Sequence, residues 1–415
     1  MTLFVTPKVL IIEDTPTIAK VQKHIALSVG YDVDVATTLK EATDFIKTNQ
    51  YFCAVVDFIL PDAPNGEAIP ITIKAEIPTI VMTGNIDDTT RTAVERFPII
   101  DYITKEHKQA YHYLKKQLQR LPKNEHISIL VVEDSTPARN FIKALLLRQK
   151  YKVYEAYDGQ NALDILAENP EISVIITDYE MPNINGAELC VEVRRKHNDE
   201  DIAIIGISSS DKALLSARFI KSGANDYLRK PFNNEEFYCR LSQNVDMLEN
   251  IATIRRQANT DYLTDLPNRR YFFEEAHKLL KIDEKNHAPP CVAMMDIDHF
   301  KAINDNYGHD AGDAVLQALS RAFKKFFPNE LIARMGGEEF VVFFTSATKT
   351  SAKKQLELFL VYVQKNSASF TDFKIPFTLS AGLSLEPVYD IDKVLKDADI
   401  KLYAAKEGGR NRLVV

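Results

Sequence analysis

The chain has 415 residues, 45% of them hydrophobic and 26% charged, with a net charge of −7; that suggests about three soluble globular domains and argues against a coat for nucleic acid. No apolar run approaches the roughly 18 residues of a membrane span, and "MTLFVTPKVLIIEDTPT" lacks the charged head and long apolar core of a signal peptide. Cys53, Cys190, Cys239 and Cys291 lie far apart without a C-x-x-C pair, which fits buried free thiols in a reducing compartment, so a cytoplasmic protein is expected, with no membrane or nucleic-acid partner.

In chain order, the first half repeats itself. "KVLIIEDTPT" at 8–17 matches "SILVVEDSTP" at 128–137, and "YFCAVVDFILPD" at 51–62 matches "EISVIITDYEMPN" at 171–183. "IDYITK" at 100–105 matches "NDYLRK" at 225–230. Such a duplicated unit is too long for a solenoid repeat. Each copy alternates short apolar strands with amphipathic helices, which predicts a parallel, doubly wound α/β sheet. Acidic residues fall at strand ends, where such sheets bind ligands. A lone aspartate there is commonly a helix N-cap; here five polar positions recur twice in one order. They suit phosphoryl transfer to a carboxylate. Glu13, Asp14 and Asp57 offer the hard oxygens that magnesium needs, and Asp57 a nucleophile. The Thr83 hydroxyl and the Lys105 ammonium can meet phosphoryl oxygens. The second copy offers Glu133, Asp134, Asp178, Ser208 and Lys230.

Both copies resemble response-regulator receiver domains, of flavodoxin-like fold, over 6–122 and 127–246. The resemblance implies that Asp57 and Asp178 accept a phosphoryl group from a cognate histidine kinase or phosphotransfer protein. It also implies that Thr83 with Tyr102, and Ser208 with Tyr227, shift together as a switch beside Lys105 and Lys230. The second copy keeps the family's Lys-Pro pair as Lys230-Pro231; the first departs, with Glu106 after Lys105 and "RFPIID" in place of a "SGANDY"-like turn.

Apolar residues at 237, 241, 245, 248, 251, 254 and 258 then mark one helical stripe. The spacing predicts that the last receiver helix continues as a linker to about Asn259 or 260, either packed on its own domain or forming a seam between two chains.

"CVAMMDIDHFKAINDNYGHDAGDAVL" opens as a strand over 291–295 that delivers Asp296 at its end. "LIARMGGEEFVVFF" at 331–344 reads as a hairpin, with Gly336 and Gly337 free to take positive φ. Asp296, Glu338 and Glu339 would form a carboxylate cluster suited to magnesium and a triphosphate, and costly without them. Asn304 and Asp313 match a guanine edge, and Lys301 can meet phosphate charge. Lys406 and Arg410 flank a glycine pair as a phosphate-grasping arrangement.

With "DYLTDLPNRR" at 261–270 and "LYAAKEGGRNR" at 402–412, this region resembles the GGDEF family of diguanylate cyclases over 261–415, an α/β domain with a central sheet. The resemblance implies condensation of two GTP into cyclic di-GMP by a homodimer. Asp296, the Ile297 carbonyl and Glu338 would bind Mg²⁺, for which Mn²⁺ can substitute. Glu339 would help activate the ribose 3′-hydroxyl. Asn304, His309 and Asp313 would hold base and sugar; Lys301, Lys406 and Arg410 would stabilise phosphates. Many members carry an Arg-x-x-Asp product-inhibition site where Phe327 and Glu330 stand here, and Phe offers no guanidinium fork. The rival reading is a catalytically silent GTP- or partner-binding module; such domains usually lose signature carboxylates, whereas Asp296, Glu338 and Glu339 are all present.

Overall fold

The computed structural model describes residues 6–84, 90, 93–94, 96–105, 108–209, 213–286, 290–345 and 348–415. Glu106 lies outside them. The chain divides into two compact units, Met1–Asn250 and Ile251–Val415.

The first unit holds two parallel five-stranded sheets. One is built from β1 (Lys8–Ile12), β2 (Asp32–Ala36), β3 (Cys53–Asp57), β4 (Thr79–Thr83) and β5 (Asp101–Thr104), in the order β2-β1-β3-β4-β5. The other, from β6 (Ser128–Val132), β7 (Lys152–Ala156), β8 (Ile172–Asp178), β9 (Ala203–Ser208) and β10 (Asp226–Arg229), runs β7-β6-β8-β9-β10, the same topology. Strands β3 and β4 are buried throughout, whereas edge strand β2 is partly solvated; a central strand covered by helices on both faces must be apolar along its whole length. Local chemistry starts the helices. Thr38 accepts from the Glu41 amide, and Asn185 forms a reciprocal capping box with Glu188. The two sheets are tied within this unit by Lys116 to Asp246 at 2.6 Å, by Arg120 to Asp246, and by Gln149 Nε2 donating to the Ile100 carbonyl at 3.0 Å.

The helix Asn234–Asn259 follows β10. Phe237, Leu241 and Val245 of the apolar stripe are buried in the second receiver core, while Ile254 is 63% exposed. The thiols depart from expectation at one point. Cys53, Cys190 and Cys291 are buried, but Cys239 is exposed, because it lies off the stripe that turns Phe237 and Leu241 inward.

The second unit is built on β11 (Cys291–Ile297), β12 (Leu331–Gly336), β13 (Glu339–Phe344), β14 (Leu379–Ser384) and β15 (Leu413–Val414), ordered β12-β13-β11-β14-β15. Strand β11 is central and antiparallel to β13 and β14. Its side chains alternate between two cores. Ala293 and Met295 face Val315, Leu319 and Phe323; Val292 and Met294 face Phe272, Val394 and Leu402. That period of two is what a strand sandwiched between helices requires. The strand reaches two residues past 295, because Asp296 and Ile297 pair with Ser380 and Leu379 of β14.

Candidate functional site

Three acidic sites stand at strand ends. In the first receiver sheet, Glu13 and Asp57 are buried and Asp14 is half-buried; each offers an oxygen within 4.8 Å of the others. Lys105 Nζ donates to Glu13 Oε2 at 2.7 Å and to Asp57 Oδ2 at 2.6 Å. Burial pushes the Glu13 carboxyl up, and Lys105 draws it back. Gln22 Nε2 also donates to Glu13 Oε2, at 3.1 Å, a contact hidden in the sequence because it depends on how the helix Pro16–Ser28 packs. Thr83 is buried at the end of β4, and Tyr102 on β5 packs against the apolar core.

The second sheet repeats this. Glu133 and Asp178 are buried and Asp134 is exposed, within the same 4.8 Å. Lys230 Nζ donates to Glu133 Oε2 at 2.6 Å and Asp178 Oδ1 at 2.8 Å. Burial raises the Glu133 pKa, against Lys230. Ser208 is buried, and Tyr227 lies 5.9 Å from the Phe219 ring. Both clusters offer hard carboxylate oxygens, two of the three acids in each being buried, the donor set that fits a divalent cation.

The third site is at one end of the second unit's sheet. Register sets Asp296 of β11 directly opposite Glu339 of β13. The turn from β12 into β13 places Gly336 at φ 146° and Gly337 at φ 51°, conformations that glycine adopts freely. Asp296 is 5% exposed, whereas Glu339 is exposed. Lys406 Nζ pairs with Asp296 Oδ2 at 2.8 Å. Burial pushes Asp296 up to about 6; Lys406 lowers it, and Glu338 and Glu339 raise it further. The expected carboxylate cluster is looser than the receiver clusters: among the described residues, only those two gather three acids within 4.8 Å. Here Lys406 closes on Asp296, while Glu338 is half-buried and Glu339 is exposed. Carboxylates on neighbouring strand ends and the adjoining turn, with a lysine on one of them, still form a hard-oxygen set that fits a cation of the magnesium type.

Lys406 reaches Asp296 because its helix, Ile391–Glu407, lies directly on β14. A Cβ at Gly382 would meet the Ala398 carbonyl at 2.1 Å. Arg410 follows at φ 62°. On the other side, Lys301 and half-buried Asn304 lie on the helix Phe300–Tyr307. Gly308, at φ 86°, separates it from the helix His309–Phe326, which carries exposed His309 and Asp313. A Cβ at Gly312 would stand 1.9 Å from Asn304 Oδ1, so the missing side chain makes room for that amide. Phe327 is 1% exposed and packs on Phe344 and Phe359; Glu330 accepts from the Thr345 amide and hydroxyl.

Sequence reasoning missed two supports. Arg334 donates from Nε and Nη2 to the Gly337 carbonyl at 2.9 and 2.7 Å, clamping the glycine turn. Asp298, 4% exposed, accepts from the Thr378 and Ser380 hydroxyls, each at 2.6 Å. The partners of Asp298 lie 80 and 82 residues away in sequence, whereas the Arg334 bond spans three residues inside the turn; no motif signals either.

Two doubly wound sheets with repeated acid pockets, followed by a mostly antiparallel sheet with a glycine-glutamate turn, define a multidomain response regulator. The family "Response regulator receiver domain" matches residues 9–115 and 129–242, and "Diguanylate cyclase, GGDEF domain" matches 258–412. Response regulator PleD of Caulobacter vibrioides (strain NA1000 / CB15N) is 27% identical over 298 residues, 69% of this chain and 65% of that protein. DgcT of Escherichia coli (strain K12) is 36% identical over 184 residues, 43% of this chain and 39% of that protein. This chain thus spans less than two thirds of either relative. A crystal structure described as a two-component system response regulator/GGDEF domain protein is 38% identical, with a TM-score of 0.54, covering 59% of this chain and 99% of that one. The chain belongs to the response regulators, with two receiver domains and a C-terminal GGDEF domain. No described helix is long and apolar enough to cross a membrane.

Proposed function

We propose that this chain is a phosphorylation-controlled diguanylate cyclase that condenses two GTP into cyclic di-GMP and two pyrophosphates as a homodimer. The observation that carries this reading is Asp296 paired opposite Glu339 on neighbouring strands, beside the bare glycine turn that leads into β13, with Lys406 on Asp296. Glycines leave backbone that a triphosphate can approach closely, and the acidic pair suits the cations that accompany one.

Each domain binds one GTP. Asn304 and Asp313 hold the guanine edge, with His309 beside the sugar, and Lys301, Lys406 and Arg410 offset phosphate charge. The 3′-hydroxyl oxygen of one GTP bonds to the α-phosphorus of the other as the bond to pyrophosphate breaks. Glu339 assists departure of the hydroxyl proton. Asp296, the Ile297 carbonyl and Glu338 would hold Mg²⁺, which would supply charge stabilisation for the phosphates. Two such transfers close the ring, so two loaded domains must face each other.

The receivers supply control. Asp57 or Asp178 takes a phosphoryl group from a phosphohistidine donor, forming an O–P bond as the N–P bond breaks. Thr83 or Ser208, with Lys105 or Lys230, meets the new charge. Pairing through the receivers raises the effective concentration of one GGDEF domain at the other, on the order of millimolar.

The test is purified protein with Mg²⁺ and either GTP or ATP, products resolved by chromatography, beside a Glu338→Ala, Glu339→Ala double variant. Cyclic di-GMP from GTP alone, lost in the variant, is expected. No product from the intact chain would favour the silent GTP- or partner-binding module. Asp57→Asn and Asp178→Asn, each with beryllofluoride, separate the receivers; a rate and oligomeric state indifferent to beryllofluoride would remove the control model.

A further inference from the structure

The C-terminal turn is unusual in its backbone. Gly409, Arg410 and Asn411 follow one another at φ 108°, 62° and 47°. Two non-glycine residues in succession in the left-handed region are held only where surrounding contacts compensate, at a cost on the order of 1–3 kcal/mol each. The amide of Arg410 donates to the Ala405 carbonyl at 3.0 Å, which fixes the start of the turn to the helix bearing Lys406. The amide of Asn411 donates to Asp298 Oδ2 at 3.0 Å.

Asp298 sits two residues beyond Asp296, and its own amide donates to the Thr378 carbonyl at 2.9 Å. Its buried carboxylate is filled from three directions: Ser380 on Oδ1, and Thr378 with the Asn411 amide on Oδ2. The Ser380 hydroxyl fixes the plane of the group, so Oδ2 is presented to the turn. One carboxylate therefore joins the end of β11, the start of β14 and the left-handed turn.

We propose that Asp298 is a positioning residue for nucleotide binding: it locks the Gly409–Asn411 turn in its left-handed form and thereby aims Arg410 at the phosphates beside Asp296. This rests on Arg410 being a phosphate ligand, as in the function proposed above. Without the Oδ2 acceptor, the Asn411 amide loses its partner, the turn relaxes toward negative φ, and Arg410 swings off the site. Lys406 stays, because its helix is fixed by packing on β14.

A double-variant cycle on the full chain tests this, reading Kd for guanosine 5′-(α,β-methylene)triphosphate with Mg²⁺, and KM and kcat for GTP. Asp298→Ala, which removes the acceptor, and Arg410→Ala are each expected to weaken binding roughly tenfold, about the worth of a hydrogen bond to a charged group. The pair together should be no weaker than the worse single variant, since a residue acting only through Arg410 has nothing left to position. KM should rise more than kcat falls. Multiplied losses, about a hundredfold together, overturn the positioning role while leaving Arg410 as a ligand. An Arg410→Ala variant that binds normally removes the phosphate role and this inference with it. Should Asp298→Ala fail to fold, Asn411→Pro, which removes the donating amide itself and cannot take the positive φ of the turn, replaces it in the cycle under the same criterion.

Discussion

Arg334 and Asp261 are joined by an ion pair of 2.9 Å between Nη1 and Oδ1, and the same guanidinium grips the Gly337 carbonyl. The pair links the "DYLT" segment at the head of the GGDEF domain to the turn that carries its glutamates. Asp261 Oδ1 also accepts from the Thr264 amide and hydroxyl, and burial of its carboxyl is outweighed by these donors, so its pKa is lowered.

Arg334→Ala should therefore loosen the turn as well as the head segment. Loss of these charge-assisted bonds is expected to cost about 1.5–3 kcal/mol. Thermal unfolding of the variant checks the stability loss. Turnover should fall more than Arg334→Lys, which keeps the charge without the fork, and a variant with unchanged turnover would show that the clamp does not matter to the site.

Gly312→Ala places a methyl where Asn304 Oδ1 now lies, 1.9 Å away. Asn304 must leave its position, while the helix His309–Phe326 gains the better helix former. The expected result is a melting temperature little changed and a KM for GTP raised roughly tenfold, the worth of one guanine-edge contact. Equal KM values would detach Asn304 from base binding.

Lys105→Met leaves Glu13 and Asp57 buried without their shared ammonium. Removing one partner of a buried pair costs about 3–5 kcal/mol. Added Mg²⁺ should recover part of that loss, since a divalent cation meets the same oxygens. Denaturant unfolding with and without Mg²⁺ reads both effects, and a variant indifferent to Mg²⁺ would contradict a cation site there.

Asp296 carries a pH signature. Its pKa stands at about 6 in the metal-free fold, above the ordinary carboxylate range. In that form its contribution to stability is full below about pH 4 and is lost as pH rises through about 6. Cation binding needs the ionised carboxylate, so the sign reverses for activity. The Mg²⁺ concentration for half-maximal turnover should rise as pH falls below about 6, by up to tenfold per pH unit. Turnover measured against Mg²⁺ at pH 5.5, 6.5 and 7.5 checks this, with Asp296→Asn as reference.

Much of this molecule is written locally. The recurrence of Glu13, Asp14 and Asp57 as Glu133, Asp134 and Asp178 needs only strand periodicity and fixed loop lengths, so the doubly wound sheets and their acid ends follow from residue order. The same holds for the glycine turn at Gly336 and Gly337, whose conformation is a property of glycine itself. What residue order leaves open is which distant groups meet. That Lys406 covers Asp296, that Gly312 makes space for Asn304, that Arg334 reaches Asp261, and that Asp298 captures the Asn411 amide were decided by packing in three dimensions. Cys239 lies open to solvent for the same reason. A hydrogen bond between groups far apart in the chain has no sequence period; it exists only once the apolar core has brought their backbones together.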